Sequence, residues 1–408
     1  MNNFNNSPNF YDLKEAVIYK DKNNIINLLK TVDINSKDDE GNTVLFFVND
    51  YEIAKFLLSK YIDKNAINIE GNTALMSIII KESENDYEPD QNIIDIIHLL
   101  IRSGATFNIP NEETGKTELM IAAFGRNYLI VKALLDERVN ITTKNPLNGN
   151  TALSYACMRN NPDIIELLLN NRANINHQNL AGETPLMLSC MVKSYDNVEL
   201  LLSRGAKVNE KDYGKQTALM FACFKDRPKI VALLLSNGAN VNDKDMLGNT
   251  ALITSCITYF SEDSIRLLVG AGSNVNEINF EQKTPLICLC SNMNNSLSKT
   301  EIAKLLILSG ANVNHKDNVN TDAFTYACRN NNVSLIKLLI VSGVKIDYSS
   351  DCVKSRLPII NAYLDSEQFK TDYHEMEKYF NLINSRKSAN LFSSMVLLSD
   401  DYLRLPNQ

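Results

Sequence analysis

Six cysteines close the same heptapeptide. TALSYAC (Thr151–Cys157), TPLMLSC (Thr184–Cys190), TALMFAC (Thr217–Cys223), TALITSC (Thr250–Cys256) and TPLICLC (Thr284–Cys290) follow one another every 33 or 34 residues, and DAFTYAC (Asp322–Cys328) comes 38 residues later. Such a column could ligate metal, form disulfides, present one nucleophile in several copies, or only pack. A thiol nucleophile needs a base beside it and a low pKa. Cysteine–histidine metal sites need close ligand spacings. His98, His177, His315 and His374 offer neither a metal-ligand spacing nor a partner for a reactive thiol. Phosphate-binding GxxxxGK[ST], dinucleotide-binding GxGxxG after a strand, HExxH and GxSxG are all missing. The expectation is a protein without catalytic residues, cofactor or bound metal, and not an enzyme.

Composition narrows the class further. The 408 residues are 44% hydrophobic and 22% charged, as in a soluble folded chain. A net charge of -7 argues against general nucleic-acid binding, which needs clustered Lys and Arg to meet phosphates. No run reaches the roughly 18 apolar residues of a membrane span. The start, MNNFNNSPNF, lacks the basic and apolar regions of a secretory signal. Residues 1–10 are therefore expected to be a disordered tail of a cytoplasmic protein with reduced thiols.

The elements that position the cysteines are repeats. Aligned on the heptapeptide threonine, the units start at Thr43, Thr73, Thr117, Thr151, Thr184, Thr217, Thr250 and Thr284, with Asp322 standing in for a ninth. A period near 33 marks a repeat array. In the unit GNTALSYACMRNNPDIIELLLNNRANINHQN, Gly149 suits a turn with a positive backbone angle, and Thr151 can cap a short helix. Pro162 fits the first turn of a second helix, which should turn Ile164, Ile165, Leu167, Leu168 and Leu169 inward. That helix ends at Arg172, where other units have Gly205, Gly238 and Gly310. The polar stretch after it suits a hairpin.

These units resemble the ankyrin repeat. LLLSNGANVNDKD (Leu233–Asp245) and LLILSGANVNHKD (Leu305–Asp317) match the second half of its consensus almost letter for letter. The resemblance runs from Tyr11 to Ser355. It implies an all-α solenoid of about nine helix-turn-helix repeats with projecting hairpin loops. A degenerate half-unit from Leu13 would open the array, and residues 356–408 would close it, with RLPIINAYL (Arg356–Leu364) as the first helix of a closing unit. The family's His after Thr-Pro-Leu is replaced by Met76, Met120, Met187 and Met220 in four units. Insertions fall at Lys81–Gln91 and around Ser291–Lys299. The divergent units are similar to ankyrin proteins of large DNA viruses, intracellular bacteria or AT-rich protists.

In this family the cysteine position is a buried small-residue site. Equivalent sites in adjacent repeats should lie one helix-packing distance apart, about 8–10 Å, beyond the roughly 7 Å a disulfide allows and too far for a shared zinc. Inert packing is the expected role.

The resemblance implies a protein-binding scaffold, monomeric and cytoplasmic, whose partner is a protein rather than nucleic acid or membrane. A host-directed effector in the host cytoplasm is one form of that role. The family binds through its concave face, made of hairpin tips and first-helix ends. Two apolar columns fall there: Leu147, Leu180, Tyr213, Met246 and Phe280, two residues before the Gly site, and Phe124, Met158, Met191, Phe224 and Ile257, after the small residue, with Ile80 in the same place. Between them runs a polar column, Lys116, Asn150, Glu183, Gln216, Asn249 and Lys283.

The end of the chain adds an amphipathic helix with Phe369, Tyr373, Met376, Phe380 and Ile383 at helical spacing. It should cover the end of the array; recruitment of a second protein, as in a ubiquitin-ligase adaptor, is the alternative. Leu234, eight residues before Asn242, also resembles the asparagine-hydroxylation sites of ankyrin repeats, so modification by an asparaginyl hydroxylase is a further alternative to a turn-stabilising Asn.

Overall fold

The computed structural model describes residues 8–83, 89–258, 262–292 and 298–386. Residues 84–88 of the loop expected at Lys81–Gln91, residues 293–297 of that at Ser291–Lys299, the side chains of Phe380 and Ile383, and residues 387–408 lie outside the described residues. The chain divides into two compact units, Met1–Ala206 and Lys207–Gln408.

Each unit is a stack of helix pairs. The fourth repeat shows how sequence makes one. Thr151 Oγ accepts the Ser154 amide and so satisfies an orphan N–H at the start of helix Ala152–Cys157. Asn161 caps the second helix, Pro162–Asn170, through the Ile164 amide at 3.3 Å, with Pro162 in its first turn. Leu153, Ala156, Cys157, Ile164, Ile165 and Leu168 are buried, and each large side chain contributes roughly 1.5–3 kcal/mol. Leu167 and Leu169 are only half-buried, unlike the expectation. At 3.6 residues per turn, five residues of Ile164–Leu169 cannot share one face. Arg172 holds the left-handed conformation at φ 69°, the role Gly205 takes at φ 85° in the next repeat.

The threonine caps recur. Thr73, Thr117, Thr184, Thr217, Thr250 and Thr284 each accept the amide three residues on, and Asp322 does so for Thr325 at 2.8 Å. Thr43 makes no such bond, and its repeat has a short 3-10 helix, Val44–Phe47, in place of an α-helix. Within each unit, first helices pack on first helices and second on second. Apart from isolated bridges between Ile67 and Thr73 and between Lys316 and Asp322, the regular structure of the described residues is helical. Stacked helix pairs of this kind are the all-α architecture expected from the repeats. Among the described residues, no helix is long and apolar enough to cross a membrane.

Both ends of the array differ from expectation. The opening element is a full helix pair, Phe10–Ile18 and Lys22–Leu28. Asn9 caps its first helix and Phe10 is buried, so residues 9 and 10 belong to the fold and not to a tail. At the other end, Leu357–Leu364 is the second helix of the closing pair. It packs on the second helix of the ninth repeat, Val333–Val341, whereas the four-residue helix Asp351–Lys354 packs on the first, Ala323–Arg329. The first helix was shortened to about one turn, which left no periodicity to recognise. Helix Glu367–Arg386 covers this end: Met376 is buried and Phe369 stacks edge-on against Tyr363 at 5.6 Å, while Tyr373 stays exposed.

Candidate functional site

All eight cysteines are free thiols, and only Cys352 is less than buried. Burial pushes the thiols of Cys157, Cys223, Cys288, Cys290 and Cys328 up to about 12, and Cys256 well above the ordinary range. Such thiols hold their protons at neutral pH, the reverse of what a nucleophile needs. Ser189 lies beside Cys157, and Ser255 beside Cys223, so the next repeat presents another small side chain to each thiol. The column is packing. Histidine is structural too. The Nε2 of His177 donates to the carbonyl of Gly149, and that of His315 to Gln282, each at 2.8 Å across to the preceding repeat.

Hairpins are joined by side-chain amides. Asn68, Asn111, Asn179 and Asn279 use Nδ2 to reach the Asn two residues before the helix of the preceding repeat: Asn42, Asn72, Asn150 and Asn249, at 2.8–3.1 Å. Their Oδ1 atoms meanwhile accept backbone N–H groups within their own turns. A second ladder runs through Asn209, Asn242, Asn276 and Asn314, whose Oδ1 atoms accept amides of the following repeat at 2.7–2.9 Å. Asn35, Asn65 and Asn108 do the same in the first unit, so Asn242 is one rung among several alike. The polar column thus contains buried structural residues: Asn150 and Asn249 are buried.

The tips carry the apolar column. Backbone bonds stitch hairpins to the one before: the amides of Ile69, Leu180, Met246 and Phe280 donate to the carbonyls of Glu40, Asn148, Gly214 and Leu247 at 2.9–3.0 Å. This register leaves the side chains facing solvent. A Cβ at Gly149 would stand 2.6 Å from the Leu180 amide, and Gly149 has φ 75°, so glycine is required there. In the first unit Leu147 and Leu180 are 61% and 62% exposed; in the second, Tyr213, Met246 and Phe280 are 68%, 57% and 75% exposed. The other column is mixed. Phe224 and Ile257 are exposed, whereas Phe124, Met158, Met191 and Ile80 are half-buried. Phe124 is edge-on to Tyr155, ring centroids 6.0 Å apart. Exposed Ile69, Leu247 and Val319 extend the tips and were missed from sequence. Ile69 sits two residues before Gly71, the same position as the others.

A family model for ankyrin repeats (3 copies) matches residues 88–179, 119–212, 173–245 and 219–317, and a second, for ankyrin repeats (many copies), matches 296–340. The chain belongs to the ankyrin repeat family. Ankyrin repeats are generally protein–protein interaction modules, and generally non-enzymatic scaffolds. No curated protein matches the chain in sequence.

Proposed function

We propose that this ankyrin array is a protein-binding scaffold that grips its partner with the exposed hairpin tips and neighbouring first-helix ends of each unit. One observation carries the reading: at Leu147, Leu180, Tyr213, Met246 and Phe280, the same position in five hairpins, a large apolar side chain is more than half exposed in every case. Large apolar side chains exposed to solvent in this way usually mark an interaction surface, and Tyr and Phe are typical anchors. The scaffold is read as a monomer acting in the cytoplasm.

Site-specific photo-crosslinking tests the proposal. The intact chain carries benzoylphenylalanine in place of Phe280, or in place of Lys229, which is exposed on a second helix. After affinity capture and illumination, the Phe280 variant should give a defined adduct and the Lys229 variant should not. An adduct from Lys229 alone, or equally from both, would place the contact elsewhere.

A further inference from the structure

The first unit holds two cations on one aromatic ring, and among the described residues no carboxylate pairs with either. Lys116 Nζ lies 4.6 Å from the centre of the Phe124 ring and 5.3 Å from that of Tyr155. The Arg159 guanidinium lies 4.0 Å from the centre of the same Phe124 ring. Asn145 and Asn148 hold the Tyr155 hydroxyl by donating to it at 2.7 and 3.1 Å. Each cation gains from the ring face, but the two repel each other. Burial first, and then the Arg159 charge, hold the Lys116 ammonium below the ordinary lysine range. Among the described residues, neither cation has an ion-pair partner.

The second unit contains a related arrangement, two cations on a tyrosine ring, with carboxylates beside it. Lys283 precedes the cap Thr284 as Lys116 precedes Thr117, and its Nζ lies 5.9 Å from the ring of Tyr326 in the next repeat. Arg329 lies 5.4 Å from that ring. Here the tyrosine hydroxyl donates to the Asp317 carboxylate at 2.8 Å, and Lys283 pairs with Glu281 at 2.5 Å. Hydrogen bonding to Glu281 lifts the Lys283 ammonium above its usual range despite partial burial. In the first unit, the residue three before the cap is Thr114 where the second has Glu281, and the group on the tyrosine hydroxyl is Asn145 where the second has Asp317. Both carboxylates are replaced by neutral side chains. A pair of cations set on rings, with no carboxylate paired to them among the described residues, can take an anion supplied from outside.

We propose that Lys116 and Arg159, over Phe124 and Tyr155, form a carboxylate-binding subsite for a peptide segment of the partner that carries Asp or Glu beside an apolar residue. The proposal rests on the protein-binding reading of the same face. An incoming carboxylate takes the place that Glu281 fills in the second unit, and its apolar neighbour lies along the half-buried Phe124 and Met158.

The test uses the full-length chain and fluorescein-labelled 12-residue peptides built from Glu, Leu, Phe and Gly, read by anisotropy. Each is compared with its Gln-for-Glu, Lys-for-Glu and phosphoserine-for-Glu counterpart. Wild type should bind the Glu peptides about tenfold more tightly than the Gln peptides, and the gap should shrink with salt. In Lys116→Gln/Arg159→Gln, or in Arg159→Gln alone should the double variant fail to fold, the gap should close with Gln-peptide affinity unchanged. Equal binding of Glu and Gln peptides by wild type would overturn the carboxylate subsite and leave the binding face standing. Binding of phosphoserine peptides alone would overturn it as well. No binding of any peptide would count against the face itself.

Discussion

Replacing Asn279 with alanine should destabilise the second unit by about 3 kcal/mol. Its buried side chain makes three hydrogen bonds, each 3.0 Å long: Oδ1 accepts from the amides of Glu281 and Lys283, and Nδ2 donates to Asn249 Oδ1. Alanine leaves all three partners unmatched, and each buried unmatched group costs roughly 1–3 kcal/mol. Neighbouring repeats offer a control. Asp245 and Asp317 perform the two acceptor tasks in their own turns, bonding amides two and four residues on at 2.8–3.1 Å. Asn279→Asp should therefore lose less than half as much. Urea unfolding of both variants measures this, with hydrogen exchange over residues 270–290 to locate the loss, because repeat arrays need not unfold in one step. An alanine variant within about 0.5 kcal/mol of wild type would remove the amide ladder from the account.

The first unit contains the opposite case, a residue that opposes its fold. Glu118 occupies the helix position held by Ala152 and Pro185 in later repeats and is 1% exposed. One carboxylate oxygen accepts the Asn108 amide at 3.1 Å, and the other is buried without a partner. Burial raises its pKa from 4.5 to about 6. The folded state therefore holds this proton more tightly than the unfolded chain. The linked stabilisation, about 2 kcal/mol at 1.36 kcal/mol per unit, is fully present below pH 4.5 and is lost as pH rises through 6. Glu118→Gln cannot titrate. The stability difference between Glu118→Gln and wild type should shift by about 2 kcal/mol in favour of the variant between pH 4.5 and pH 7.5. Denaturant titrations at those two pH values check it; a difference that does not change with pH contradicts the buried charge.

Much of this molecule is legible in its sequence because each repeat restates the same physical solution. Thr caps, prolines at the first turn of second helices and glycines in left-handed turns each have a local cause, so Gly149, Thr151 and Pro162 could be assigned one by one. Tip exposure was legible by position, since Leu180, Met246 and Phe280 all stand two residues before the turn. Other features depend on more than one repeat. The closing pair was misassigned because its first helix, Asp351–Lys354, is too short to show a period. The polar column was read only as running between two apolar ones, yet Asn150 and Asn249 in it are buried and bonded by amides reaching from the next hairpin. Lys116, Phe124, Tyr155 and Arg159 come from two repeats and meet only through packing, so no spacing rule points to them. Glu118 hides in a position whose burial follows from the fold and not from its own residue type.

The central claim is that the exposed tips bind and do not stabilise. It is tested most directly by measuring, for Tyr213→Ala and Phe224→Ala, both the thermal midpoint and the dissociation constant for the captured partner. Both side chains are substantially exposed, so the midpoints should stay close to wild type. The dissociation constants should rise about 5- to 150-fold, the 1–3 kcal/mol expected of an aromatic anchor. A large fall in midpoint with affinity preserved in the folded fraction would show that the tips hold the repeats together, and would contradict the account.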